Sequence, residues 1–155
     1  MKPVPGRMTH DYDGELIVFL IGMRINRWSR VRDWLPTFRA MPPMMRELAT
    51  DPDSGMVGYR LFGLPRTPTV LQYWTSLDKL YDYASNPQAK HRPAWGEFNR
   101  RARTAGDAVG IWHETFEVAR AETFYFAMPP TGLAAATDMT PVTKAHARAR
   151  DRIAS

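Results

Sequence analysis

Histidine exchanges protons near neutral pH, and the histidine of this chain with the most suggestive surroundings is His91. It follows a helix-breaking Asn-Pro pair, precedes Arg92-Pro93 and lies one helical turn before Trp95. From this place its imidazole can reach the mouth of a pocket, where it would act as an acid, a base or the axial ligand of haem iron. His91 is therefore the first candidate for catalysis and the candidate metal ligand.

The other three histidines are weaker candidates. His10 and His146 lie in the terminal arms, where we expect exposure to solvent, and His113 sits in mid-strand, where a structural role is expected. The sequence lacks the metal-ligand spacings HxxxH and CxxC, a GxSxG nucleophile turn and a glycine-rich phosphate loop. It carries no nicotinamide or flavin signature, and we expect either no cofactor or haem.

Arginine offers a second kind of chemistry. Arg24 and Arg60 are candidate catalytic residues because a guanidinium stabilises negative charge that develops on a substrate oxygen. Glu114 lies in a later strand, and a buried carboxylate is costly unless it is paired. Either arginine could be its partner, in a purely structural ion pair or in a binding site.

The first predicted strand, residues 14–25, is apolar on both of its faces. One face consists of Ile17, Phe19, Ile21, Met23 and Ile25, and the other of Leu16, Val18, Leu20, Gly22 and Arg24. We expect the first of these faces beneath helices and the second to be open to another cover. In a chain this short, the economical cover is a second subunit.

In the next strand, Val57, Tyr59 and Leu61 are predicted to face the helices. Met56, Gly58, Arg60 and Phe62 are predicted to lie on the open face. Gly22 and Gly58 then remove side chains from one face, which indicates either bulges or room for a ligand. We expect the residues that bind a substrate or cofactor to be these two glycines with His91, Met56, Phe62, Trp74, Trp95, Trp112 and Glu114.

The predicted elements follow the order strand, helix, strand, strand, helix, strand, with a further strand in ETFYFAM. This order indicates an α+β fold of ferredoxin-like topology with an extra C-terminal strand and tail. We predict a loose N-terminal arm at residues 1–12, a ferredoxin-like domain at residues 13–128 and a C-terminal extension at residues 129–155.

Composition narrows the class of protein. The 155 residues are 44% hydrophobic and 24% charged, which is typical of one globular domain. With no cysteine and no apolar run of membrane-spanning length, the chain is expected to be cytoplasmic and to have no membrane partner. The net charge of +5 comes from scattered arginines, and the strand signature of RNA-binding modules is missing, so no nucleic-acid partner is expected.

Residues 72–95, QYWTSLDKLYDYASNPQAKHRPAW, resemble the antibiotic-biosynthesis-monooxygenase superfamily. Over about nine-tenths of its length, the chain resembles a bacterial and fungal family of monooxygenases related to a fumagillin-pathway oxygenase. The matching stretches are DYDGELIVFLIGMRINRW, LPTFRAMPPMMREL, SGMVGYRLF, HRPAWGEFNR, GIWHETFEV and MPPTGLAAAT.

This resemblance implies a dimeric α/β-barrel, a homodimer in which two sheets pack back to back and each protomer keeps its own pocket. His91 matches the histidine that ligates haem in the haem-degrading branch, and Trp74 matches a strand-end tryptophan. The first-strand asparagine of that branch has no equivalent among Val18, Leu20 and Gly22. Haem degradation is therefore not implied, whereas haem binding through His91 stays open.

Two functions are compatible with these observations. The first is a monooxygenase acting on an apolar aromatic or terpenoid metabolite in an enclosed pocket, either cofactor-free with His91 as the base or haem-dependent with His91 as the ligand. The second is a protein that binds haem or a small apolar molecule and catalyses nothing.

Overall fold

The computed structural model describes residues 1–86 and 106–153. Predictions that fall on residues 87–105, among them those for His91 and Trp95, lie outside the described residues. In chain order the longer elements are β1 (Val4–Asp11), β2 (Ile17–Ile25), α1 (Val31–Thr50), β3 (Met56–Phe62), β4 (Thr69–Trp74), α2 (Leu77–Ser85), β5 (Val109–Glu117), β6 (Tyr125–Met128) and β7 (Asp138–Pro141).

Strands β2 to β5 form one antiparallel sheet in the order β3-β4-β2-β5. The central strand β2 pairs Ile17 with Trp74 of β4 and Ile21 with His113 of β5. Helix α1 connects β2 to β3, and α2 begins after β4 at Ser76, whose hydroxyl accepts a hydrogen bond from the Lys79 amide at 3.2 Å. The predicted ferredoxin-like α+β fold is confirmed.

The main core lies between this sheet and the helices. Ile17, Met23 and Ile25 of β2 are at most 1% exposed, and Ile17 clusters with Met45 and Leu48 of α1. Because strand side chains alternate between two faces, these residues share the side that the sequence predicted to lie beneath helices. That prediction is confirmed. The opposite side of the sheet is called the open face below.

The terminal segments form a second sheet of their own. Its strand order is β6-β1-β7, and both pairings are antiparallel. The prediction of a loose arm at residues 1–12 is wrong, because β1 hydrogen-bonds to a neighbour on each side. ETFYFAM does supply a strand, β6, but this strand joins β1 and not the four-stranded sheet.

Two short helices, Leu133–Ala136 and Ala149–Arg152, complete the C-terminal segment. The buried Arg152 forms an ion pair with Glu122 and donates to the carbonyls of His146 and Ala147 at 3.0 and 3.1 Å. Its guanidinium also lies 5.5 Å from the centre of the Phe124 ring. These contacts fasten the end of the chain to the second sheet.

Among the helices of residues 1–86 and 106–153, none is long and apolar enough to span a membrane.

Candidate functional site

A cavity of about 380 Å³ lies beside strand β3. Its walls include three residues singled out from the sequence, Met56, Gly58 and Arg60, and three from the C-terminal segment, Gly132, Ala135 and Ala136. We call this space the β3 cavity. The structure therefore brings part of the predicted site together, and it adds a wall that the sequence analysis did not assign to the site.

The short helix Leu133–Ala136 fits against β3 because residue 58 has no side chain. A Cβ added at Gly58 would lie 2.5 Å from the Cβ of Ala136. The room that Gly58 provides is thus filled by protein. The pairing of β3 with β4 is irregular between Met56 and Gly58. A bulge was one of the two features that a glycine in this strand indicated, the other being room for a ligand.

This irregularity changes the face on which Met56 lies. Met56 pairs with Trp74 and packs on the helix-side core, whereas Gly58 pairs with Tyr73. The prediction that Met56 shares the open face with Gly58 is therefore wrong. An extra residue in the strand shifts the alternation by one position, and Met56 reaches the β3 cavity from the helix side.

Arg60 lies on the open face, and its guanidinium lies close to the hydroxyls of Tyr73 and Tyr125 around Gly132. A Cβ built on Gly132 would lie 3.5 Å from the Tyr73 hydroxyl, 3.6 Å from the Tyr125 hydroxyl and 3.8 Å from Nη1 of Arg60. Three polar groups from β4, β6 and β3 therefore converge on one point beside the β3 cavity.

The environment of Tyr73 favours its neutral form. Burial raises the pKa of the Tyr73 hydroxyl, Tyr125 raises it further and the charge of Arg60 acts in the opposite direction. Tyr73 is therefore a hydrogen-bond donor at neutral pH. Sequence analysis missed Tyr73 and Tyr125, because only the packing of the C-terminal segment on β3 brings them to Arg60.

Arg24 is placed differently from Arg60. Its Nε donates to Oδ1 of Asn26 at 3.1 Å, and Asn26 donates in turn to the Asp107 carbonyl at 2.8 Å. Arg24 thus supports the junction between β2 and the turn before β5, and it is not part of the wall of the β3 cavity.

The ion pair predicted for Glu114 does not form within the described part of one protomer. Arg60 lies on β3 and Glu114 on β5, which are opposite edges of the sheet. Three strand spacings, roughly 14 Å, separate them. Glu114 is exposed and forms no ion pair with Arg24, whose partner is Asn26. The expectation of a buried, paired Glu114 is wrong for the protomer.

Phe62 lies on the open face, as predicted, and Trp112 lies on the same face. Phe62 is 45% and Trp112 37% exposed, and Phe116 on the same face is 49% exposed. Gly22 pairs with Trp112, and a Cβ at Gly22 would lie 2.7 Å from the indole. Gly22 therefore makes room for Trp112.

Trp74 is part of the core in the described structure. Its side chain is fully buried, and its indole N–H donates to Oε1 of the buried Gln72 at 2.9 Å. The ring centre of Tyr83 lies 5.9 Å from that of Trp74. Burial, and to a lesser extent the charge of Glu47, raises the pKa of the Tyr83 hydroxyl. These contacts account for Trp74 without a ligand.

A second cavity, of about 280 Å³, lies on the helix side between α1 and the β3-β4 hairpin. Its lining is mostly apolar and includes Phe38, Met41, Leu61 and Val70, with Arg46 as its charged residue. This helix-side cavity would suit an apolar ring.

The histidines of the described residues do not line either of these cavities. His146 is exposed, as expected, and His113 contacts Phe19 with ring centres 5.8 Å apart. His10 is half-buried, which contradicts the expectation of exposure, and its Nδ1 lies 3.0 Å from the Thr123 hydroxyl. Burial lowers the pKa of His10.

No group of three or more His, Asp or Glu side chains in residues 1–86 and 106–153 is arranged to hold a metal ion. His91, the predicted axial ligand, lies outside this part of the chain.

The chain was compared with curated proteins and with models of protein families. No curated protein matches the chain. Residues 16–133 match the model of a family described as monooxygenase af470-like.

Three solved structures are similar to the chain. The cofactor-independent oxygenase SnoaB from Streptomyces nogalater has 13% identity and a TM-score of 0.44, with 70% of this chain and 97% of that chain covered. A dimeric protein of ferredoxin-like fold from Bacteroides fragilis NCTC 9343 has 12% identity, a TM-score of 0.45 and coverages of 66% and 96%. A dimeric ferredoxin-like protein from Jannaschia sp. CCS1 has 19% identity, a TM-score of 0.44 and coverages of 66% and 99%.

Proposed function

The chain belongs to the monooxygenase af470-like family, and from this premise we propose that it oxygenates an apolar aromatic or terpenoid metabolite without a cofactor. The observation that carries the proposal is the position of Arg60 in the wall of the β3 cavity, beside small or apolar lining residues such as Met56 and Ala136. The cavity volume of about 380 Å³ falls within the range of small-molecule sites, roughly 300–1,000 Å³.

The reaction balances without a cofactor when the substrate is a phenol. A base removes the hydroxyl proton, and the electron-rich ring carbon of the phenolate forms a C–O bond to O₂. The hydroperoxide that results takes up a proton and loses water together with the ring hydrogen, which leaves a quinone. One oxygen atom enters the product, the other leaves as water, and the substrate supplies all the electrons.

Two residues of the proposal have distinct roles. His91 is the proposed base, since an imidazole near its ordinary pKa of about 6.5 accepts a proton at neutral pH; it lies outside the described residues. Arg60 is the proposed group that stabilises the phenolate oxygen. Arg60 is preferred to Arg24, because Arg24 is hydrogen-bonded to Asn26 and does not contribute to the cavity wall.

Haem would carry the oxygen chemistry in the alternative version of this function. Its proposed ligand is again His91, and the described walls of the β3 and helix-side cavities contain no histidine. A Soret absorption band in protein purified from haem-supplied cells, lost in His91→Ala, would support that version or the alternative of a haem-binding protein without catalysis.

The proposed enzyme acts as a homodimer. Phe62, Trp112 and Phe116 are each more than one-third exposed on the open face, and several large apolar side chains exposed on one surface are typical of an interface. A second copy is the proposed cover. In light scattering after gel filtration, Phe116→Asp should shift the mass from dimer to monomer; a wild-type monomer would contradict the proposal.

Oxygen uptake with a panel of fused-ring phenols tests the catalytic proposal. The wild type should consume one O₂ per quinone formed, and His91→Ala should abolish uptake. Arg60→Gln should lower kcat/KM by about 100-fold, the usual loss for one oxyanion-stabilising group. The control is Arg66→Gln, which removes an exposed charge in the β3-β4 loop. Absence of uptake across the panel, with binding retained, would favour the binding protein.

A further inference from the structure

Each of the three groups beside Gly132, the hydroxyls of Tyr73 and Tyr125 and the guanidinium of Arg60, can donate a hydrogen bond. The Tyr125 hydroxyl accepts a hydrogen bond from the Ala134 amide at 3.3 Å, so its own proton is directed to another acceptor. The Tyr73 hydroxyl and the Arg60 guanidinium make no hydrogen bond to any residue of the described ranges 1–86 and 106–153. A guanidinium has no acceptor to offer to the two hydroxyls.

The walls of the β3 cavity, as far as the described residues form them, contain neither Asp nor Glu. Tyr73 is half-buried, and its pKa is raised by that burial, so its proton is retained near neutral pH. A guanidinium and two hydroxyls that can each donate, with no carboxylate in the described cavity walls, favour an anionic oxygen as their partner.

Gly132 keeps the access to this place open. It lines the β3 cavity together with Arg60, and its backbone has φ of 59° in the left-handed region. Any side chain at residue 132 would begin within 3.8 Å of all three donor atoms. Arg60 lines the β3 cavity directly, whereas the two hydroxyls adjoin it through Gly132, a lining residue that has no side chain to block their approach.

We propose that Tyr73, Tyr125 and Arg60 form a subsite that binds an ionised oxygen of the substrate, a phenolate, enolate or carboxylate, while its apolar body occupies the β3 cavity. This subsite rests on the proposed function and narrows it to substrates that carry an acidic oxygen. The two hydroxyls can donate to the ligand oxygen, and the guanidinium selects for negative charge on it.

A structural alternative must be distinguished. Tyr125 also holds the segment Leu133–Ala136 through the Ala134 amide, and its loss could loosen the cavity wall and weaken every ligand alike. Within residues 1–86 and 106–153, the Tyr73 hydroxyl makes no such hydrogen bond to the backbone. The two tyrosines are therefore replaced in separate variants. The ligand used as a probe is compared with a second ligand that differs from it only in lacking the acidic oxygen.

The experiment measures the affinity of the full chain for 4-nitrophenol and for 4-nitroanisole, its methyl ether. Absorbance distinguishes bound phenolate from bound phenol, so the titration is done below the pKa of the free probe. The wild type should enrich the phenolate. Tyr73→Phe and Tyr125→Phe should each weaken phenolate affinity roughly tenfold, and Arg60→Gln by at least as much.

Binding of 4-nitroanisole should be unchanged in Tyr73→Phe. The control Tyr81→Phe removes the hydroxyl of an exposed tyrosine on α2 and should change neither affinity. Equal losses of affinity for both probes would overturn the subsite and favour the structural alternative. Unchanged phenolate affinity in the variants, or no phenolate binding by the wild type, would also overturn the subsite.

Failure of the subsite and failure of the proposed function give different results. Phenolate binding that depends on Tyr73, without oxygen uptake, would keep the subsite and remove the monooxygenase. If the Tyr73→Phe variant binds the phenolate as tightly as the wild type does and still consumes oxygen, the subsite is wrong and the monooxygenase proposal stands.

Discussion

The indole of Trp112 lies directly over Gly22, with its Nε1 and Cε2 atoms 2.7 Å from the place of a Cβ at that glycine. The two residues are paired across β2 and β5. Any side chain at residue 22 must displace the indole from the open face of the sheet, so the glycine determines where Trp112 rests.

Replacement of Gly22 by alanine should destabilise the fold by about 1–3 kcal/mol, the usual cost of overpacking a fitted contact. Gly110→Ala is the matched control, because its added Cβ would meet only Nδ2 of Asn26 at 3.9 Å. Urea unfolding followed by far-ultraviolet circular dichroism measures both. Equal stability of the two variants would contradict this account of Gly22.

A buried polar chain crosses the core. Trp74 donates to Gln72, and the Gln72 amide lies 3.8 Å from the sulfur of Met45. Trp74→Phe leaves Oε1 of Gln72 without its donor, which should cost about 1–3 kcal/mol beyond the lost volume. The double variant Trp74→Phe, Gln72→Leu should recover part of this loss in the free energy of unfolding. If the double variant loses the sum of the two single effects, the hydrogen bond is unimportant.

The face of β2 could be predicted because side chains alternate along any strand, and an error of one position would have exposed Ile17 or Met23. The same logic failed at Met56. An irregularity beside Gly58 shifts the alternation, and nothing in the sequence distinguishes such a bulge from a regular strand that contains a glycine.

The residues that surround Arg60 depend on strand order and on long-range packing, which the alternation of polar and apolar residues along a strand does not reveal. Strand order places Glu114 on the far edge of the sheet, and the packing of residues 130–136 brings Tyr125 to Arg60 instead. The second sheet is a similar case, since β1 and β6 meet through pairs such as Val4 with Met128, which lie at opposite ends of the chain. Such pairings are set by the whole fold.

The ion pair between Arg152 and Glu122 anchors the C-terminal segment to the second sheet. Glu122→Gln should leave a buried guanidinium without its counter-charge, at a cost of about 2 kcal/mol, less than for a fully buried pair because the Glu122 side chain is 23% exposed. Amide hydrogen exchange should accelerate in residues 138–152 and remain unchanged in β2. The matched control is Asp107→Asn, which removes the exposed pair with Arg27.

His10 should make the second sheet sensitive to acid. Burial lowers the pKa of His10 from its ordinary value near 6.5, while Asp11 and Glu122 act in the opposite direction. The unfolded chain therefore binds a proton at a higher pH than the folded chain, and stability present above about pH 6.5 is lost as the pH falls through the folded pKa.

His10→Gln removes this titration, so its free energy of unfolding should fall less steeply than that of the wild type from about pH 7 to 5. Urea unfolding across this range is the measurement, with His146→Gln, which replaces an exposed histidine, as the control. A slope as steep in His10→Gln as in the wild type would show that the acid sensitivity arises elsewhere.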